Sequence, residues 1–268
     1  MQDALHSLSA WLLGRVSLAA AEALSESLIE DLAFAPEPRG AILLCEHEPM
    51  IAIGQVGSRG DIAIDRHDLA AHGLSLRYVN RSGGTILHGP GQLACHAILP
   101  MQRLGLTPEE TLRRLTLAVR TALDPFRPQW VEPGERGSET RKDAIPSWRL
   151  LLGRTGPLAA VGIGASDGFS HYGAFVNVNP PLRLYRKVQT FAWTGDAEKT
   201  TLSSLMTECG RRVTMSKVRS SLVEQAPAAF GASAVHVHSH HPRLAALEAQ
   251  FASPSASPAD PQAFRRAV

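Results

Sequence analysis

Residues 80–92 read NRSGGTILHGPGQ, and no other stretch of the chain is as unusual. It contains four glycines, Gly83, Gly84, Gly89 and Gly91. Glycine permits positive φ angles and lets a ligand approach the backbone closely. Successive N–H groups in such a loop can hold a carbonyl or phosphate oxygen, and Arg81 and His88 can add charge-assisted hydrogen bonds. The stretch therefore predicts a ligand-binding loop, while a tight hairpin with an incidental histidine explains the same residue types.

The composition is that of a globular protein with a sizeable core. The chain has 268 residues, of which 44% are hydrophobic and 19% are charged. The formal net charge is only +2, which argues against a nucleic-acid or membrane partner. The three cysteines, Cys45, Cys95 and Cys209, are too few and too widely spaced for a disulfide framework or a CxxC metal pair. We therefore expect a cytoplasmic protein without a metal or cofactor, and we find no signal peptide or membrane span.

The apolar pattern predicts an α+β domain around one sheet, without regular βαβ units. A helix is predicted to begin at Thr107, where Pro108 and Glu110 complete a T-P-E-E capping signature. The other predicted helices cover 1–32, 200–206 and 216–224. The predicted strands cover 41–45, 50–53, 74–79, 93–99, 148–152, 158–163 and 173–178. A polar loop is expected at 131–146, and a disordered tail at 251–268.

Five segments in a fixed order resemble one known family. They are ILLCEHEPMIAIGQ (42–55), RSGGTILHGPGQL (81–93), TPEE (107–110), LAAVGIG (158–164) and YGAFVNVNPPL (172–182). The order and spacing are similar to those of the octanoyltransferase family, also called lipoate-protein ligase B, of the biotin/lipoyl protein ligase superfamily. The resemblance implies a single domain with a mixed β-sheet flanked by helices. Within it, 1–39 form an N-terminal helical segment, 40–250 the octanoyltransferase-like domain and 251–268 a tail.

The resemblance also implies a substrate and partners. Family members move an octanoyl group from acyl carrier protein to a lysine of a lipoyl domain, through a tunnel for a medium-length acyl chain. The residues that carry over as acyl-binding are Arg81, Ser82, Gly83, Gly84, Thr85, Ile86, Leu87, His88, Ala160, Val161, Gly162, Gly173, Ala174 and Phe175. Asn177 and Asn179 match the NVN signature, and we expect them to fix neighbouring loops because buried amides need partners.

The catalytic pair of the family is not matched. Family members form an acyl thioester on a cysteine whose thiolate is stabilised by a lysine, as expected from the effect of a nearby cation on a thiol pKa. The family's cysteine position is Phe191 here, and its lysine position is Pro157. Cys95 is a weak alternative nucleophile, since a buried free cysteine is more often a small apolar residue. No catalytic residue is therefore predicted.

Three functional hypotheses remain. The first is an octanoyltransferase-like protein that binds an acyl or lipoyl group, or a lipoyl-domain partner, without the thioester chemistry. The second is an active octanoyl or lipoyl transferase with a relocated nucleophile, which would be an octanoyl-[acyl carrier protein]:protein N-octanoyltransferase in type. The third is a non-catalytic protein-interaction module on the same scaffold. The histidine-rich tract 236–241 is interpreted as a solvated strand or loop.

Overall fold

A computed structural model describes residues 4–131, 148–188 and 202–251. Its strands are β1 Ser7–Val16, β2 Arg39–His47, β3 Met50–Ile53, β4 Ser75–Tyr78, β5 Thr85–His88, β6 Gln92–Ile98, β7 Trp130–Val131, β8 Trp148–Gly153, β9 Pro157–Ser166, β10 Phe169–Asn177 and β11 Ala234–Ser239. Its helices are α1 Leu18–Ala33, α2 Arg66–Ala71, α3 Pro108–Leu123, α4 Leu182–Tyr185, α5 Leu205–Cys209, α6 Met215–Phe230 and α7 Leu244–Phe251.

The strands form a large and a small sheet. The large sheet has the order β11-β1-β2-β6-β10-β9-β8-β7, and the small one has the order β4-β3-β5. Strand β1 runs parallel to both β2 and β11, whereas β2, β6, β10, β9 and β8 are successively antiparallel. The predicted α+β class with a mixed sheet and flanking helices is confirmed.

Helices cover both faces of the large sheet. Helices α3 and α6 pack on one face, over a core that includes Cys95, Val161 and Ala174. Helix α1 packs on the other face against β2, β6 and β10. The core on that side includes Ala160 and Phe175. Because side chains alternate along a strand, consecutive residues within β9, and within β10, point into opposite cores.

Helix α3 begins where the sequence predicts. The Thr107 hydroxyl oxygen accepts a hydrogen bond from the backbone N–H of Glu110 at 3.1 Å, and Pro108 occupies the first turn. Proline is tolerated there because the first helical N–H groups have no partner within the helix. The helix ends at Leu123, before a 3-10 turn that contains Pro125.

The predicted helix over 1–32 is wrong for its first half. Strand β1 occupies Ser7–Val16, and helix α1 begins only at Leu18, after Ser17 caps it. Both faces of β1 are buried, with Leu8 and Ala10 in the core beneath α3 and α6 and Leu13 and Val16 in the core beneath α1. The strand therefore lacks the alternation that marks a half-buried strand. The predicted strand at 158–163 is confirmed and lies inside the longer β9.

The remaining expectations differ in outcome. The predicted helix at 216–224 is observed as the longer α6, whereas the one predicted at 200–206 is wrong over 202–204, because α5 begins only at Leu205. Most of the predicted 131–146 loop and of the 251–268 tail lies outside the described residues. No helix in the described ranges is long and apolar enough to cross a bilayer.

Candidate functional site

The Arg81–Gly84 loop is held between the two sheets by backbone hydrogen bonds. Towards the large sheet, Ser82 N–H donates to the Ile163 carbonyl at 3.0 Å, and Ile163 N–H donates to the Ser82 hydroxyl at 3.0 Å. Towards the small sheet, Gly54 N–H donates to the Gly84 carbonyl at 3.2 Å. The structure therefore brings the glycine-rich loop and the 160–162 segment of β9 together.

Glycine at position 162 is required by this close packing. A Cβ atom there would lie 2.4 Å from the Ser82 carbonyl oxygen, which is well inside van der Waals contact. Gly83 has φ 93°, a conformation that residues with a Cβ rarely adopt. These two positions explain why this part of the sequence is rich in glycine.

Arg81 is fully buried and shapes the loop. Its Nη1 donates to the Ser82 carbonyl at 2.6 Å, and its Nη2 donates to the Gly84 carbonyl at 2.7 Å. The guanidinium carbon also lies 5.6 Å from the centre of the Phe175 ring, within cation–π range. Burial lowers the Arg81 pKa to about 10, and the group stays protonated at neutral pH. Two of its charge-assisted hydrogen bonds thus go to the loop's own carbonyls.

A buried chain of hydrogen bonds connects His88 to the NVN segment. His88 Nδ1 lies 2.8 Å from Gln92 Oε1, and Gln92 Nε2 donates to Asn177 Oδ1 at 3.1 Å. Gln92 Nε2 also donates to the Leu87 carbonyl, so Oε1 is free to accept from His88. Burial lowers the His88 pKa well below its usual value, and the imidazole is therefore neutral. Asn177 on β10 is thus linked to Gln92 on β6.

A narrow cleft lies between β5, the ends of β6 and β10 and the start of β9; its water-sized volume is only about 10 Å³, about enough for one water molecule. Its apolar walls are Ile86, Leu150, Pro157, Ala159, Ala160, Phe175 and Leu202. Its polar lining residues are Gln92, Asn177 and Tyr185. The Tyr185 side chain is 2% exposed, and its hydroxyl has no hydrogen-bond partner among the described residues. Buried hydroxyls normally find a partner, so this hydroxyl is available to a ligand in the cleft.

The other predicted site residues are distributed around this cleft. Ile86, Ala160 and Phe175 line it. Val161 and Ala174 belong to the core beneath α3, on the opposite face of the sheet. These two residues can therefore contribute only backbone to the cleft side.

Three further predicted residues lie near the cleft without lining it. Leu87 packs in the small-sheet core. The Thr85 hydroxyl donates to Asp61 at 2.6 Å. Gly173 passes close to the Cys95 backbone, since a Cβ there would lie 2.1 Å from its carbonyl oxygen.

Pro157, which the resemblance places at the family's lysine position, lies in the cleft wall. Its carbonyl accepts a hydrogen bond from Ser203 N–H at 2.9 Å. Phe191, at the position of the family's cysteine, lies outside the described residues. The nearby Lys187 pairs with Asp68 at 3.2 Å.

None of the chain's three cysteines lines the cleft. Cys95 faces the core beneath α3, away from His88. The Cys209 thiol donates to the Phe126 carbonyl at 3.1 Å. Cys45 is completely buried beside His47, and burial raises its thiol pKa far above the usual value.

The sequence interpretation missed Tyr185, Leu150 and Leu202. Tyr185 stands alone in LRLYRKV, and only the fold carries it to the end of β9. In the histidine-rich tract, β11 ends at Ser239 and His240 has φ 68°. His238 stacks on Trp11 with ring centres 4.2 Å apart.

Solved structures of known proteins share the fold of this chain. The fold is that of lipoate protein ligases. Protein Ta0514 of T. acidophilum, solved with bound lipoic acid, aligns with a TM-score of 0.64 at 13% sequence identity. The alignment covers 93% of this chain and 94% of that one. The bi-partite lipoate protein ligase of the Thermoplasma acidophilum lipoylation system, studied with its E2 lipoyl domain, aligns with a TM-score of 0.62 at 11% identity, over 91% and 92% of the two chains.

The family model and the sequence relatives identify the family of this chain. Residues 17–226 match the model of the lipoyl protein ligase A/B catalytic domain, and the chain belongs to that family. The octanoyltransferase of Bordetella petrii is 29% identical over 192 residues, covering 70% of this chain and 81% of the relative. That of Bacteroides fragilis is 27% identical over 189 residues, covering 70% and 80%.

Proposed function

We propose that this protein binds an octanoyl or lipoyl group in the cleft lined by Ile86, Phe175, Tyr185 and the first residues of strand β9, without forming the thioester of its relatives. Family membership and the octanoyltransferase relatives support the class of substrate. The observation that carries the proposal is the composition of the cleft, which combines apolar walls with one buried hydroxyl that has no partner among the described residues.

The lining of the cleft matches the chemistry of a linear acyl chain that ends in a carbonyl, and the cleft would have to widen to admit such a chain. Ile86, Leu150, Ala160 and Phe175 offer apolar contact, and each buried methylene contributes about 0.8 kcal/mol. Burial raises the pKa of Tyr185 far above its usual value, so its hydroxyl keeps its proton. A neutral O–H in an apolar surrounding is a donor for a carbonyl oxygen. We infer that Tyr185 donates to the acyl carbonyl.

The absence of thioester chemistry is supported at the family's lysine position. A proline at position 157 cannot supply the cation that lowers a thiol pKa. Phe191 cannot act as a nucleophile, and the three cysteines lie outside the cleft. Acyl carrier protein and a lipoyl domain are the partners that this proposal implies, as donor and acceptor of the acyl group or as docking partners.

Calorimetric titration with octanoyl-pantetheine tests the proposal. The unmodified protein should bind this thioester, and Tyr185→Phe should weaken its affinity about tenfold by removing one hydrogen bond without changing the apolar wall. Tyr78→Phe is the matched control, because Tyr78 lies on β4 and is 63% exposed. Equal affinities for Tyr185→Phe and the unmodified protein would remove Tyr185 from the site. A protein that binds no medium-chain acyl compound would favour the interaction-module hypothesis.

A further inference from the structure

A second cluster of chemically capable side chains lies on the same face of the large sheet as Phe175. Cys45 and His47 stand two residues apart on β2, and His96 lies on the adjacent antiparallel strand β6. All three side chains are essentially buried, with exposures of 0%, 1% and 1%. One ligand atom from each lies within 4.8 Å of the others. Neither the proposed acyl-binding role nor the family's cysteine and lysine makes use of this cluster.

The distances within the cluster are close to those of a metal site. His47 Nε2 lies 2.9 Å from His96 Nε2 and 4.0 Å from Cys45 Sγ. Around a tetrahedral Zn²⁺ ion, two nitrogen ligands lie about 3.3 Å apart, and a nitrogen and a sulfur about 3.6 Å apart. These two separations would therefore each have to change by about 0.4 Å for the groups to share one ion, and the third, between the ligand atoms of Cys45 and His96, is within 4.8 Å.

The hydrogen bond of His47 to a backbone carbonyl sets which of its ring nitrogens carries the lone pair that a metal ion would bind. His47 Nδ1 lies 3.1 Å from the Val16 carbonyl, which can only accept, so Nδ1 carries the proton and Nε2 carries the lone pair. Metal-binding histidines are typically oriented by such a bond from their other nitrogen.

A neighbouring histidine has an unsatisfied nitrogen. The His88 ring centre lies 5.4 Å from that of His47, and Nδ1 of His88 is bonded to Gln92. His88 Nε2 is buried and has no hydrogen-bond partner in the part of the chain that the structure describes. This nitrogen points to a ligand that the protein side chains alone do not provide, because buried polar atoms are normally paired.

We propose that Cys45, His47 and His96 form a binding site for a borderline-soft metal ion of the Zn²⁺ class, with His88 beside it as a further nitrogen donor. One sulfur and two imidazole nitrogens are the ligand set that such ions prefer. Binding would replace the thiol proton of Cys45 by the ion and release that proton to solvent, and the proton that His96 Nε2 donates to His47 would move to His96 Nδ1. Burial raises the Cys45 pKa and lowers that of His47 to about 4, so both groups are uncharged before the ion arrives.

His96 gives the ion a route from solvent. Besides facing His47, it lines a second cleft of about 1130 Å³, including space open to solvent, together with Glu22, His171 and Tyr172. The Phe175 ring lies 6.1 Å from His96 and 4.7 Å from His88, and it also lines the proposed acyl cleft. The metal site is therefore a neighbour of the acyl cleft, and the two proposals can fail separately.

Titration of the chelator-treated full-length protein with Co²⁺, as a spectroscopic substitute for Zn²⁺, tests the site. We expect one ion per chain, with a thiolate-to-cobalt charge-transfer band in the near ultraviolet. Cys45→Ser should abolish that band and weaken Zn²⁺ binding by on the order of 100-fold. Cys95→Ser is the matched control, since Cys95 is also buried but faces the opposite core; it should leave the band unchanged.

A second measurement keeps the test independent of the variants' folding. Zn²⁺ should raise the melting temperature of the unmodified protein by mass action, and should not raise that of Cys45→Ser. Absence of both the charge-transfer band and the Zn²⁺-dependent melting shift in the unmodified protein would overturn the proposal. The cluster would then be a neutral, hydrogen-bonded histidine pair packed against a buried thiol. A band of equal strength in Cys45→Ser would also overturn it, because the thiolate would belong to another residue.

Discussion

At Gly162, strand β9 passes so close to the Arg81–Gly84 loop that a single methyl group would collide with the Ser82 carbonyl. The Ser82–Ile163 hydrogen bonds fix that distance from both directions. Buried Arg81 ties the loop to itself, so the loop cannot simply move outward. One residue without a side chain thus allows strand β9 and the Arg81–Gly84 loop to pack in direct contact.

Gly162→Ala should destabilise the protein by about 1–3 kcal/mol, because the added methyl forces the loop and the strand apart in a tightly packed region. Chemical denaturation monitored by circular dichroism measures the change. Gly60→Ala is the control, since Gly60 is exposed and its added Cβ would meet only the Ser58 hydroxyl, at 3.2 Å. Equal stability of the two variants would show that the loop yields freely, contrary to this account.

Among the elements, the turn between β8 and β9 is held in place by a single carboxylate from α5. Glu208 accepts hydrogen bonds from the backbone N–H of Arg154 at 2.9 Å and of Thr155 at 3.0 Å, and from the hydroxyls of Thr155 and Ser203. Pro157, in the wall of the cleft, follows two residues after Thr155. Helix α5 therefore positions the end of the cleft at which the family's lysine would stand.

Replacing this carboxylate should cost stability in a pH-dependent way. Burial raises the Glu208 pKa, but the hydrogen bonds from Ser203, Thr155 and Arg154 outweigh it and the net pKa is lowered. A carboxylate whose pKa is lower in the folded than in the unfolded state stabilises the fold at pH values above the unfolded-state pKa. This stabilisation is lost as the pH falls through the folded-state pKa. Glu208→Gln should therefore lower the melting temperature at pH 7, by an amount that shrinks below about pH 4.

Melting curves from pH 7 to pH 3 measure this effect. Glu224→Gln is the control, because Glu224 is exposed on α6, and it should change the melting temperature little at any pH. A deficit for Glu208→Gln that stays constant down to pH 3 would show that the charge of Glu208 is not what holds the turn.

Helices and strands could be predicted from the sequence where residues at their ends or along them give a local signal, such as a helix cap. The capping residues Thr107 and Pro108 mark the start of α3, and the structure begins the helix there. Strand β1 gave no such signal, because its apolar residues are not strictly alternating when both its faces are covered. Its strand character comes from pairing with β2 and β11, and β11 lies more than 200 residues later.

At the scale of the whole molecule, the order of the sequence motifs predicted which segments of the chain lie next to each other. The direction of their side chains depends on the register between paired strands, which the motifs do not give. The Arg81 loop and the 160–162 segment were predictable from the family resemblance. That Val161 and Ala174 face away from the cleft, and that Cys45 meets His96, follows from pairings between distant strands. Tyr185 could not be predicted because no neighbouring residue marks it.

The central claim is that the molecule holds a medium-chain acyl group without a covalent bond to it. Mass spectrometry of the unmodified protein after incubation with octanoyl-pantetheine, first under native and then under denaturing conditions, tests it most directly. We predict a protein–ligand complex in the native spectrum and an unmodified protein mass after denaturation. An octanoyl adduct that survives denaturation would contradict the account, as would a native spectrum without any complex.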